Sequence, residues 1–82
     1  MSHATLRVEG ELHLSLEAVA EVYRVQAVWL REVYDCGLLG SGVDAERTVF
    51  IHCARLDRVA TIVRLHQVLG LDVEDIALEL AR

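Results

Sequence analysis

The stretch that decides the predicted fold is SLEAVAEVYRVQAVWLREVYDCGLL, residues 15–39. Ser15 is a typical N-cap residue, and apolar residues follow it at helical spacing, which predicts a first short helix ending near Arg24. The same spacing recurs around Leu30, and Gly37 stands where a left-handed C-terminal cap is usually needed. Two short helices joined by a tight turn predict a helix-turn-helix.

The flanking segments predict a small amount of β-structure. Apolar residues alternate from Leu6 to Leu14, which is typical of one half-buried strand, bent at Gly10. Residues 40–48 have no apolar period and predict a loop. The apolar residues 38–39 and 49–51 on either side of that loop can pair as a hairpin, which would give the helix-turn-helix a wing and a sheet that the first strand can join.

Two further helices complete the predicted domain. An apolar stripe from about Cys53 to Leu69 predicts a long third helix that ends at Gly70, and Asp72 is the expected N-cap of a short fourth helix. We therefore predict that residues 1–82 form a single, mainly α-helical domain. Its class would be a winged helix-turn-helix with four short-to-medium helices, a small β-hairpin and an N-terminal strand.

The composition restricts the function. The chain of 82 residues has thirteen acidic residues against eight arginines and no lysine, a net charge of −5, which is the wrong sign for a domain that depends on phosphate contacts. It contains no apolar run long enough for a membrane span and no signal-peptide pattern, so we expect a cytoplasmic protein without a membrane partner. Two distant cysteines, Cys36 and Cys53, predict reduced thiols.

Several short motifs resemble the MerR-type winged helix-turn-helix fold. Leu30-Arg31 and Gly37-Leu38-Leu39 match the opening motif of that fold. The fold also has an arginine three residues before an aromatic residue, and Arg47 and Phe50 match this pair. Its Leu-Gly-Leu element before a last helix is matched at residues 69–71. The resemblance spans nearly the whole chain and implies the fold class given above.

Within that fold the chain is similar to the small chaperone modulator CbpM and its relatives. Shared features are a strand that leads straight into the first helix, an acidic second helix and a long third helix. Members of this family bind the J domain of the DnaJ-like co-chaperone CbpA and block its stimulation of Hsp70. The resemblance implies a non-catalytic regulator of a co-chaperone. CbpM-like chains usually extend beyond the position of Arg82, so we expect a monomer or a weak homodimer here.

Candidate partner-binding residues lie on two predicted helices. J domains present a basic helix to Hsp70, so a modulator with negative charge would be attracted to that face. Trp29 is a candidate aromatic anchor, because tryptophan is enriched at binding hot spots, although a boundary tryptophan covering the wing is an equal alternative. The acidic candidates are Glu32 and Asp35 on the second helix, and Asp72, Glu74, Asp75 and Glu79 on the last. The sequence does not choose between these two patches.

The alternative function is that of a MerR-like DNA-binding transcriptional regulator. A helix-turn-helix normally places its second helix in the major groove, but residues 15–39 carry four acidic residues against two arginines, a local charge of −2. Residues 47–66 have the opposite balance, with four arginines against one aspartate, a charge of +3. The arginines available to DNA would be Arg31, Arg47, Arg55 and Arg58, and pairing with nearby acidic residues is the alternative role for them.

No pattern in the sequence predicts catalysis, a metal or a cofactor. The candidate side chains are His3, His13, His52, His66, Cys36 and Cys53, and their spacing matches no zinc motif. We interpret His66 as a helix-face histidine and Cys53 as a small buried residue. There is also no glycine-rich phosphate loop and no nucleophile elbow. The sequence therefore predicts that the protein is not an enzyme and holds neither a metal nor a cofactor.

Overall fold

The structure is a computed structural model that describes residues 4–82. Its elements, in chain order, are β1 (Thr5–Val8), β2 (Glu11–Ser15), α1 (Leu16–Tyr23), α2 (Ala27–Asp35), β3 (Val43–Ala45), β4 (Thr48–His52), α3 (Leu56–Leu69) and α4 (Val73–Leu80). A short 3-10 turn, Cys53–Arg55, connects β4 to α3. The strands form one antiparallel sheet in the order β1-β2-β4-β3, and its face with Val49 and Ile51 packs against the helices.

The predicted fold class is wrong. Helices account for 53% of the described residues and a curled four-stranded antiparallel sheet for 22%, so the domain belongs to the α+β class. It is not a mainly α-helical, MerR-like winged helix-turn-helix domain. The difference arises in two segments, residues 5–15 and residues 43–52, each of which forms a complete hairpin. Both hairpins escape prediction because each turn begins with a glutamate, Glu9 or Glu46, at a positive-φ position where asparagine, aspartate or glycine is usual.

The first hairpin replaces the single bent strand that the alternating leucines predict. Its two-residue turn, Glu9–Gly10, has φ of 53° and 81°, the pattern of a type I′ turn. The turn places Leu6 opposite His13, so even-numbered residues of β1 face odd-numbered residues of β2. Leu6 therefore shares a sheet face with His13, whereas Leu14 lies on the other face and packs against the helical core. The even-numbered apolar residues of this segment, which the alternation places on one face, therefore lie on two opposite faces of the sheet.

The second hairpin lies where the sequence predicts a loop. Its turn, Glu46–Arg47, has φ of 51° and 64°, and it aligns Val43 with Phe50. The predicted pairing of residues 38–39 with residues 49–51 is wrong, since Leu39 is buried in the helical core instead. A type I′ turn normally contains Asn and Gly, because other residues adopt positive φ only at a cost. Because Glu46 and Arg47 are not typical residues of such a turn, the sequence does not predict a turn here.

We expect the double substitution Glu46→Asn, Arg47→Gly to raise the free energy of unfolding by about 1 kcal/mol, because it relieves two left-handed residues. Urea denaturation of both proteins measures this change. The matched control is Glu46→Gln, Arg47→Gln, which removes the same charges without favouring positive φ. If the control is as stable as the Asn-Gly variant, the backbone explanation is wrong.

The predicted helix ends are largely confirmed. The side chains of Ser15 and Asp72 accept the backbone N–H of the residue three positions later, at 3.1 and 2.9 Å, and so cap α1 and α4. Gly70 ends α3 in the left-handed conformation. The long helix begins at Leu56, three residues after the predicted start at Cys53, because a 3-10 turn precedes it. No helix formed by residues 4–82 is long and apolar enough to cross a membrane.

The core lies between the helices and one face of the sheet. Side chains from α1, α2, α3, α4 and β4 meet there, and the largest fully buried ones are Leu30, Leu39, Ile51, Ile62, Ile76, Val19, Val33 and Val59. The predicted stripe on α3 is confirmed up to Leu65, which packs against the core, but Leu69 is 63% exposed. Helical periodicity indicates which side of a helix faces the core, but not how far along the helix the core extends.

Candidate functional site

The four acidic candidates on the last helix all lie at the surface. Val73 and Ile76 anchor α4 in the core, and the acidic side chains are exposed: Asp72, Glu74, Asp75 and Glu79. The Asp72 carboxylate caps the helix by accepting the backbone N–H of Asp75. Of these four carboxylates, only that of Glu79 has a cationic side chain of residues 4–82 within 4 Å, with Arg82 Nε at 3.9 Å. The N-terminal end of α4 therefore presents negative charge to solvent, with no cation of the described residues 4–82 paired to it.

The acidic candidates on the second helix are both exposed, and one of them is paired. Asp35 Oδ1 lies 3.2 Å from Arg31 Nε, and this pair spans one helical turn with both side chains more than half exposed. Arg31 also lies 6.0 Å from the centre of the Tyr34 ring, within the range of a cation–π contact. Glu32 is exposed. Asp35 therefore carries a partly neutralised charge.

Trp29 is half-buried and stacks on a histidine of another helix. The rings of Trp29 and His66 have centroids 4.4 Å apart and planes inclined by 25°. His66 Nδ1 lies 2.8 Å from the carbonyl oxygen of Leu71, the residue that precedes the α4 cap. Because a carbonyl oxygen only accepts, Nδ1 donates this hydrogen bond. This connection joins Trp29 to the acidic end of α4, whereas Glu79 lies at the other end of that helix.

A groove opens beside this aromatic stack, between the turn that joins α1 to α2 and the C-terminal end of α3. Its cavity volume is about 370 Å³, and it is lined by Arg24, Val25, Gln26, Trp29, His66 and Gln67. None of these lining side chains is acidic. Exposed apolar side chains occur in the same segments, namely Val28 on α2 and Val68 and Leu69 on α3. The segments that form the groove thus expose both polar and apolar side chains.

The groove contains residues that the sequence did not single out as functional. Trp29 was predicted as a partner-binding residue, but Arg24, Gln26 and Gln67 were not, and His66 was interpreted as an ordinary helix-face residue. The segments that form the groove are separated by about forty positions, and no motif connects them. The sequence does not indicate that Arg24 lies at a groove. Arg24 is the left-handed C-cap of α1, a position where glycine is usual.

Three of the four arginines predicted for DNA binding have contacts within the domain. Arg31 pairs with Asp35. The Arg55 guanidinium packs against Gly40, where an added Cβ would lie 3.1 Å away. Arg58 Nε donates to the Leu38 carbonyl oxygen at 3.4 Å, so these two arginines lie against the segment that follows α2. Arg47 is exposed in the turn between β3 and β4.

A histidine pair occupies the sheet face opposite the helical core. His13 and His52 lie on adjacent strands, with ring centroids 5.0 Å apart in an edge-to-face arrangement. His52 Nδ1 accepts the backbone N–H of Ala54, so its Nε2 donates to the Glu11 carboxylate at 2.9 Å. His13 Nδ1 donates to the Glu11 carbonyl oxygen at 3.0 Å. These bonds connect β2 to β4 and begin the 3-10 turn.

The remaining candidates for catalysis or metal binding do not converge. Cys36 is exposed and Cys53 half-buried, and both thiols are free. Among residues 4–82 there is no group of three or more His, Cys, Asp or Glu side chains that could hold a metal ion. His3 lies outside the described residues.

Comparisons of the chain with protein-family models, with curated proteins and with solved structures find no match. The function of the site has to be inferred from its own chemistry. Two features are prominent: the exposed acidic end of α4, and the groove beside Trp29.

Proposed function

We propose that this protein is a non-catalytic chaperone modulator, resembling the CbpM-like family, that binds the J domain of a DnaJ/CbpA-type co-chaperone and inhibits its action on Hsp70. The observation that carries the proposal is the exposed acidic end of α4, where Asp72, Glu74 and Asp75 have no paired cation among residues 4–82. Such a surface attracts the basic helix that a J domain presents, and it repels nucleic acid.

The half-buried tryptophan beside this surface supports a protein partner. Trp29 exposes part of its ring, and exposed aliphatic side chains lie at Val28, Val68 and Leu69. Protein interfaces commonly combine an aromatic anchor, apolar neighbours and a charged rim. The acidic end of α4 would supply the rim, because His66 connects Trp29 to Leu71. Within this proposal, Trp29 and the first turn of α4 contact the J domain together.

The alternative, a DNA-binding regulator, has less support. Arg31 is neutralised by Asp35, and Arg55 and Arg58 lie against the segment that follows α2. A DNA reader of this kind also acts as a dimer on a palindrome, whereas the proposed modulator acts as a monomer or a weak homodimer.

We further propose that the protein acts in the cytoplasm, which agrees with its two free thiols.

The test is a calorimetric titration of the protein with purified J domains from the same cell. We expect binding at low micromolar concentration that weakens as the salt is raised from about 50 to about 300 mM, because exposed charges are screened. The double variant Glu74→Gln, Asp75→Asn should raise Kd about 3- to 10-fold, since each exposed charge contributes roughly 0.2–1 kcal/mol. Inhibition of J-domain-stimulated Hsp70 ATP hydrolysis should weaken in parallel.

The matched control is Glu17→Gln, Asp44→Asn. It also removes two exposed negative charges, and Glu17 lies in the first turn of α1 as Glu74 lies in the first turn of α4. The control should bind as the unmodified protein does. Absence of J-domain binding at low micromolar concentration would contradict the proposal. Tight, salt-sensitive binding to duplex DNA in its place would favour the transcriptional regulator.

A further inference from the structure

The groove beside Trp29 differs in charge from the rest of this acidic protein. Its polar lining residues are Arg24, Gln26, His66 and Gln67. No acidic side chain lines it, although the chain carries a net charge of −5. Arg24 forms no ion pair with any acidic side chain of residues 4–82. The groove therefore offers hydrogen-bond donors and one positive charge that the domain itself does not use.

We propose that this groove binds the side-chain carboxylate of an aspartate or glutamate in an extended segment of a partner protein. Guanidinium groups bind carboxylates through two parallel hydrogen bonds, and carboxamide N–H groups can satisfy the remaining lone pairs. This inference adds to the proposed function the chemistry of one segment of the partner. It rests on that function only for the identity of the partner.

His66 is positioned by the fold to present one nitrogen to the groove. Its Nδ1 donates to the Leu71 carbonyl oxygen at 2.8 Å, and its ring is held against Trp29. The other ring nitrogen, Nε2, is then an acceptor, and it can accept a backbone N–H of the bound segment. The orientation of the ring is thus determined before a ligand arrives, which reduces the entropy that binding costs.

Exposed apolar residues on the two helices that contribute to the groove favour a segment with chain on both sides of the carboxylate. Val28 belongs to the α2 side, whereas Val68 and Leu69 belong to the α3 side, and all three are more than 60% exposed. An extended peptide with an apolar residue on each side of an aspartate can cover both sides. A free C-terminal carboxylate, or a small anion, has no chain beyond it and covers one side at most.

The test uses the emission of Trp29, which is the only tryptophan of the chain and therefore reports on the groove alone. The probe is the pentapeptide Leu-Ala-Asp-Ala-Leu, acetylated and amidated at its ends. We expect a saturable change in emission with Kd on the order of 1 mM, and at least about 5-fold weaker binding of the peptide with Asn in place of Asp. A third peptide carries that Asn and a free C-terminal carboxylate.

The variant Arg24→Asn should weaken binding of the Asp peptide about 10-fold, because it removes the only cationic guanidinium of the groove. Asparagine tolerates the left-handed backbone of this position, where φ is 57°, so the variant keeps its fold. Arg47→Asn is the matched control. It removes the same charge from an exposed left-handed residue, φ 64°, outside the groove, and should bind as the unmodified protein does.

Equal binding of the Asp and Asn peptides, or an unchanged Kd in Arg24→Asn, overturns the proposal. Tighter binding of the peptide with the free terminus than of the Asp peptide overturns the assignment to a side chain. The J-domain titration separates this inference from the proposed function. If the protein binds the Asp peptide but no J domain, the carboxylate site is supported and the proposed function is wrong. If it binds a J domain but not the Asp peptide, the proposed function is supported and the carboxylate site is wrong.

Discussion

Replacement of Leu30 by alanine is expected to lower the free energy of unfolding by about 2–5 kcal/mol. Leu30 is fully buried in α2 and belongs to the cluster that α1, α3, α4 and the sheet share. Truncation removes three carbon atoms from that cluster and leaves a cavity that the neighbouring side chains fill only in part. Since a domain of this size has limited total stability, the loss is a large fraction of it.

Thermal unfolding followed by circular dichroism measures this effect. Each kcal/mol corresponds to about 4–8 °C in a domain of this size, so the Leu30→Ala variant should melt at least about 8 °C below the unmodified protein. Val28→Ala is the matched control, because Val28 lies in the same helix but is 72% exposed. The control should change the free energy of unfolding by less than about 0.5 kcal/mol. Similar losses in both variants would contradict the assignment of Leu30 to the core.

Replacement of Gly42 by alanine is expected to cost about 1–3 kcal/mol, because the site has no space for a side chain. An added Cβ would lie 2.8 Å from the Phe50 carbonyl oxygen and 3.0 Å from both Tyr34 Oη and Val49 Cγ1. The Gly42 N–H also donates to Tyr34 Oη at 3.1 Å. The chain is therefore confined between α2 and β4, and a methyl group would displace β3 from its partner strand.

Urea denaturation measures the cost, and hydrogen exchange of the amides in β3 locates it. Exchange in Val43–Ala45 should accelerate more than exchange in α3, since β3 follows the substituted residue directly. Ser41→Ala, at the exposed neighbouring position, is the control and should leave both measurements nearly unchanged. A change below about 0.5 kcal/mol in Gly42→Ala would show that the chain does not approach Tyr34 and β4 so closely.

The proposed carboxylate site and the proposed J-domain surface are adjacent but opposite in charge. Arg24 in the groove is the positive element, and the first turn of α4 is the negative one. Trp29 and His66 lie at the groove, and His66 connects it to the residue before the α4 cap. A partner with a basic helix and a nearby acidic segment would contact both. Opposite charges in a fixed arrangement give orientation as well as attraction, which favours one partner over others.

Elements that depend on local chemistry were predicted correctly from the sequence. The caps at Ser15 and Asp72 and the end of α3 at Gly70 are where the sequence indicates, because each depends on one residue type and a few neighbouring peptide groups. The helical spacing around Leu30 likewise predicts which side of α2 is buried. Trp29 was predicted as a partner contact from its residue type, and that role remains a prediction.

The fold class and the groove depend on the tertiary structure. Both hairpin turns contain non-glycine residues with positive φ, a conformation that the pairing of the flanking strands stabilises. Gly10 is a local signal in the first turn, but by itself it predicts a bend and not a hairpin. The groove depends on contact between residues 24–29 and residues 66–67, which no spacing in the sequence encodes. In this protein the sequence by itself determined the helix ends and buried helix faces, because those depend on neighbouring residues. Only the tertiary structure decided the sheet and the binding groove, because both depend on contacts between distant segments.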